Sequence, residues 1–258
     1  MLFPDKPRVV YGKKPTEQVI CQLRFPTILR IDTEPPVTFQ DRVRDQYPVL
    51  IEKKHEFLPI PKEMIGLFGA DFRFGKPSFD FISADEKWKL TLAADFLSLS
   101  TSDYERWEIF REHLVTPFQA LIEIYKPPFF TRIGLRYRDV IQKTVLNLAD
   151  VSWDELLNPA VAGALSVKEI ASAVMHVAKD ITFSLPANSG QLRVRHGLGK
   201  RDEGEEMCYV IDADFFTDAR KEVQYAQTTL DTYHTEARLL FQWCITDKLH
   251  NALDPKPV

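Results

Sequence analysis

Arg132-Ile133-Gly134-Leu135-Arg136-Tyr137, in the middle of the chain, ends on leucine, arginine and an aromatic ring, as does Ile20-Cys21-Gln22-Leu23-Arg24-Phe25 near its start. Both runs alternate apolar with polar positions, the pattern of a strand that buries one face and solvates the other. A second echo follows in the same order: Leu92-Ala93-Ala94-Asp95-Phe96-Leu97 and Ile211-Asp212-Ala213-Asp214-Phe215-Phe216. Two echoes in one order, at similar separations, predict a duplicated unit. Coincidence is the competing reading, because Leu-Arg-aromatic and Asp-Phe combinations are common.

The segments around these echoes complete the unit. Val19 to Phe25 reads as a strand ended by Pro26, and Val37 to Tyr47 as a helix ended by Pro48. Phe57 to Ile60 suits a short edge strand. Phe72 and Phe74, then Phe79 and Phe81, alternate as a strand pattern broken at Gly75-Lys76-Pro77, and Trp88 to Ser100 reads as one longer strand. Ser102 or Asp103 can cap a helix whose apolar stripe is Trp107, Phe110, Leu114, Phe118, Leu121 and Tyr125. Pro117 within it should kink or divide that helix.

The second half opens with a strand over Phe129 to Ile141. Helical spacing at Trp153 to Leu157 and Val167 to Lys179 is followed by strands at Ile181 to Leu185, Gln191 to Leu198 and Met207 to Phe216, then a helix from Thr228 to Leu253. Gly197-Leu198-Gly199-Lys200 reads as a hairpin turn rather than a phosphate loop, because a strand precedes it and charged residues follow. The expected fold is α+β, with two pseudo-repeated strand-helix-meander-helix halves, mostly antiparallel sheet and helices packed on one side. The halves are residues 1–126 and 127–258, as separate units or fused into one compact domain.

Composition bounds the function. The 258 residues are 45% hydrophobic and 27% charged, enough apolar material for a substantial core. A formal net charge of −4 weighs against non-specific coating of nucleic acid. Cys21, Cys208 and Cys244 are odd in number and scattered, the pattern of reduced, buried thiols. With no apolar run long enough for a bilayer and no signal-peptide pattern at the N-terminus, the expected location is cytoplasmic, with no membrane partner.

Pro15 to Phe25, Trp107 to Tyr137 with its Ile124-Tyr125-Lys126-Pro127-Pro128 segment, Tyr209 to Phe216, and the last helix with His234, Phe241, Cys244-Ile245-Thr246 and Leu249 resemble a sporadically distributed bacterial family of uncharacterised proteins. The resemblance spans nearly the whole chain. It implies a similar fold but no activity, cofactor or catalytic residue.

Alternation supplies the candidate binding residues. Arg132, Arg136 and Arg138 share one strand face, opposite Ile133, Leu135 and Tyr137; Arg193 and Arg195 share another, opposite Leu192 and Val194. If the strands are neighbours these guanidiniums form an anion-binding platform, with His196 beside them as a second functional candidate. The competing structural reading pairs them with Asp212 and Asp214, which also alternate.

Asp95 and Asp214, equivalent under the duplication, could hold a divalent metal only by converging in one cleft. Each suits a turn-anchoring role better. His234, on the apolar stripe of the last helix, reads as a core-edge histidine hydrogen-bonded to backbone rather than a ligand. No nucleophile elbow, zinc spacing or phosphate loop occurs, so the expected catalytic residues, metal ligands and cofactors are none. The leading function is a soluble binding protein that recognises a protein partner or anionic ligand through the arginine-bearing sheet face. The alternatives are a metal-assisted enzyme on a phosphorylated or nucleic-acid substrate, and a small-molecule sensor with an aromatic cavity.

Overall fold

The two quoted hexapeptides are direct neighbours. In the computed structural model, which describes residues 1–53, 78–200 and 206–257, β2 (Thr16–Arg24) pairs antiparallel with β7 (Arg132–Ile141). Cys21 sits opposite Leu135, and Leu23 opposite Ile133. The β2–β7 pair lies inside one nine-stranded sheet that also contains β3 (Val49–Lys53), β4 (Ser78–Ile82), β5 (Trp88–Ala93), β6 (Phe96–Thr101), β8 (Val177–Ser184), β9 (Gln191–Lys200) and β10 (Met207–Thr217). Its order is β3-β4-β5-β6-β2-β7-β10-β9-β8, and every pairing is antiparallel. Short β1 (Val9–Tyr11) and β11 (Pro255–Pro257) form a separate ribbon. The sheet is continuous across the expected boundary between residues 1–126 and 127–258.

Period-two alternation decides which face is buried. Val19, Cys21, Leu23, Ile133, Leu135, Tyr137, Tyr209, Ile211, Ala213 and Phe215 all point to one side and are buried. The helices lie on that side. α2 (Val37–Val43) sets Phe39 against Phe81, and α3 (Trp107–Ala120) sets Phe110 against Trp88. α5 (Ala226–Cys244) packs on β7 and β10, with Tyr233 on Phe215. The remaining α-helices among the described residues are the short α1 (Leu29–Thr33), α4 (Pro159–Ala162) and α6 (Asp247–Ala252). Cys21, Cys208 and Cys244 are free and buried. Among the described residues no helix is long and apolar enough to cross a membrane.

Several expectations are corrected in detail. Trp88 to Ser100 is two strands, β5 and β6, folded back at Ala94-Asp95. Their carbonyls accept the Ile28 and Phe25 amides, so the end of β2 pins this turn. Val167 to Lys179 is no helix. Short 3₁₀ turns cover Gly163–Ser166 and Ala171–Ala173, and β8 begins at Val177 because pairing with β9 captures it. Gly197 to Lys200 is the end of β9 rather than a turn. Gly197 is required there because a Cβ would collide with the Val177 carbonyl. The last helix breaks at Ile245, whose extended backbone bridges Leu157, and Thr246 caps α6.

The α3 cap expected at Ser102 or Asp103 is not there either: the helix begins at Trp107, with Arg106 as its N-cap and no side-chain cap bond. Pro117 neither ends nor divides α3, which runs on through Ala120 into a π turn over Leu121–Tyr125. The missing proline N–H would leave the His113 carbonyl without its helical donor. The Tyr47 hydroxyl supplies one at 3.0 Å. The Phe57 to Ile60 strand, and Phe72, Phe74 and the Gly75-Lys76-Pro77 break, lie outside the described residues.

Candidate binding face of the sheet

On the face opposite the helices the arginine and aspartate strands interleave: β10, carrying Asp212 and Asp214, lies between β7 and β9. Asp214 is in register with Arg136 and Arg193, and Asp212 with Arg138 and Arg195. The structure therefore brings together Arg132, Arg136, Arg138, Arg193 and Arg195, all projecting from that face. His196 is placed on the other one. It is buried, with its Nδ1 2.7 Å from the Tyr209 hydroxyl. Burial holds its pKa down at about 4, so it is a neutral core group rather than part of the arginine face.

Each of the five arginines meets a carboxylate. Arg136 grips Asp212 through two nitrogens, Nε at 2.6 Å being one of them, and this hydrogen bonding raises its pKa further. Arg195 Nη2 reaches the same carboxylate at 3.1 Å. Arg132 reaches Asp214 at 2.8 Å, lies over the Phe216 ring and crosses Gly134, where a Cβ would displace it. Arg138 pairs with Glu17 at 2.8 Å, and Arg193 forks onto Asp180, whose pKa it holds below the usual carboxylate value. Burial raises the Asp214 pKa, opposed by Arg132 and Arg136. The arginines thus share one face, and each is paired with a carboxylate there.

The lattice is not flat. At Gly197 the Val177 carbonyl at the start of β8 approaches closely, and a depression of about 650 Å³ lies between the start of β8 and β7. Arg136, Arg138, Arg195, Asp180 and Asp212 line it with His176, while the Lys179 ammonium turns to the helix side and donates to the Val161 carbonyl. Asp212 is shared by two guanidiniums, so the pairing leaves a positive excess at that point. Arg138 and Arg195 side chains remain 45% and 46% exposed, which leaves them accessible to a ligand.

Asp95 and Asp214 do not converge. Asp95 is in the β5–β6 turn and Asp214 in β10, with β2 and β7 between β6 and β10. Three strand spacings alone put them at least roughly 14 Å apart, too far to share one ion. Among the described residues no three His, Cys, Asp or Glu side chains group closely enough to hold a metal.

On the helix side a polar cluster went unread in the sequence. In β7, Asp139 occupies a core-facing position after Ile133, Leu135 and Tyr137, and it is buried. Thr16 Oγ1 donates to it at 2.6 Å, and burial pushes its carboxyl up to about 7 against that hydrogen bond. Tyr137 is hydrogen-bonded to Tyr104 and lies 3.0 Å from His234 Nδ1. His234 stacks on Trp107, and burial holds its pKa down at about 4. Its partner is thus a tyrosine on β7, although the core-edge placement is as expected. The signal for Asp139 was present: a carboxylate at an apolar position of an otherwise regular alternation.

No known protein-family model matches the chain, and no curated protein matches it.

Proposed function

We propose that this chain is a binding protein that receives an anionic group, a carboxylate or phosphate of its partner or ligand, in the depression on the open sheet face. The observation that carries this reading is the sharing of Asp212 between Arg136 and Arg195. Two guanidiniums on one carboxylate leave donor capacity and positive charge unspent, and guanidinium forks match the oxygens of carboxylate and phosphate. The existing ion pairs do not block such a ligand. Half-exposed pairs contribute only about 0–1 kcal/mol each, so a multivalent anion can rearrange them at little cost.

The same reading takes the two halves as copies of one ancestral unit. The β2 and β7 segments that echo each other pair at the sheet centre, and in each half the last meander strand, β6 or β10, returns to pair with the first. The five arginines lie in the second half, and Glu17 and Gln22 of the first half reach Arg138 and Arg132.

Thermal denaturation with inorganic pyrophosphate as probe tests the site. The wild-type chain should gain stability with rising pyrophosphate at constant ionic strength, and Arg195→Ala and Arg138→Ala should each reduce the gain. No gain, or an equal gain in the variants, counts against the reading.

A further inference from the structure

A second site lies on the other side of the sheet. A cleft of about 100 Å³ opens between β1, the start of β2, β7, the N-terminal end of α3 and the C-terminal half of α5. Tyr11, Tyr104, Trp107, Tyr137 and Phe241 supply aromatic walls, and Asp139 stands among them. Cavities near this size take a small organic group: one of about 150 Å³ admits benzene, so this one suits a head of roughly four or five non-hydrogen atoms.

We propose that this cleft binds a small primary amine whose ammonium group pairs with Asp139. Among the described residues no cation forms a salt bridge with Asp139, and its one side-chain hydrogen bond comes from Thr16. Four basic residues also line the cleft: Arg8 pairs with Glu108 at 2.7 Å, Lys14 with Asp103 at 3.2 Å and Arg238 with Asp5 at 3.8 Å, and Arg106 is the fourth. A buried carboxylate without a counter-ion, facing a cavity with tyrosine and tryptophan walls, is the arrangement that recognises an ammonium group, by charge pairing and by attraction to aromatic faces. A fixed structural carboxylate that only anchors Thr16 beside the bulge of β2 would need no cavity in front of it.

Thermal denaturation of the full chain with methylamine and ethanolamine, against sodium and potassium chloride at matched ionic strength, tests the assignment. At a concentration about five times the dissociation constant, an amine should raise Tm by about 2–4 °C. Asp139→Asn should lose the response, and Arg195→Ala, on the opposite face, should keep it. Equal shifts from the alkali chlorides, a larger shift from sodium acetate, or an undiminished response in Asp139→Asn would overturn the proposal. Should Asp139→Asn fail to fold, ¹³C-methylamine on the wild-type chain gives the answer. Its methyl protons should show Overhauser contacts to the Tyr104 and Tyr137 rings, and their absence at millimolar amine removes the site.

Discussion

Asp212 and Asp139 are both buried aspartates, and opposite environments separate them. Asp212 has Arg136 on one side and Arg195 on the other. Asp212→Ala would leave Arg136, 35% exposed, without its partner. Allowing for that exposure, the loss should be about 1–2 kcal/mol, read as a lower denaturant midpoint at unchanged slope. Among the described residues Asp139 has only the Thr16 hydroxyl as a side-chain hydrogen-bond partner, and its folded pKa of about 7 exceeds its ordinary value. A raised acid pKa means the folded state holds its proton more tightly. Stability from this group is therefore complete below about pH 4 and is lost as pH climbs through 7. The loss is of the order of 4 kcal/mol at most. Asp139→Asn should flatten the pH dependence of stability between about 4 and 7, and a retained slope would assign it to other groups.

At this scale the arginine face was legible, because period two dictates which side chains share a side. The same counting puts His196 with Leu192 and Val194 on the core side. Adjacency to Arg195 in sequence says nothing about sharing its face. Whether the aspartate strand lay between the arginine strands depended on long-range pairing, which alternation alone does not encode.

Among the elements, α3 shows how a local rule and a tertiary contact combine. Pro117 announces a lost hydrogen bond, but only the fold reveals that the Tyr47 hydroxyl replaces it. Tyr47→Phe should cost about 1–2 kcal/mol. In a Pro117→Ala background, where a backbone N–H returns to the His113 carbonyl, the same substitution should cost clearly less. Equal costs in the two backgrounds would remove the link. Strands with regular alternation were legible to within a few residues, as in β7, β9 and β10. Elements that fail are those set by partners: the start of β8, Val177 to Lys179, has helical spacing yet joins a ladder, and Gly197 suits a turn yet sits in a strand because another backbone passes close by.

For the whole molecule, β2 and β7 join the two halves through a shared ladder, and one hydrophobic core runs beneath the sheet. Unfolding should therefore be a single transition. Trp88 and Trp107 report on the first half and Trp153 and Trp243 on the second, so fluorescence and circular dichroism in urea should give coincident curves. Two separated transitions would mean that the halves fold independently. The same sheet that unites them buries one face and leaves the arginine lattice on the other, and the proposed function rests on that lattice.

Calorimetric titration of inorganic pyrophosphate into the wild-type chain and into Arg195→Ala measures the central claim most directly. The lattice predicts one site per chain, an affinity that falls with added salt, and a loss of about 10- to 100-fold in the variant, as expected for one charge-assisted contact. Wild-type binding that is undetectable, or that Arg195→Ala leaves unchanged, would contradict it.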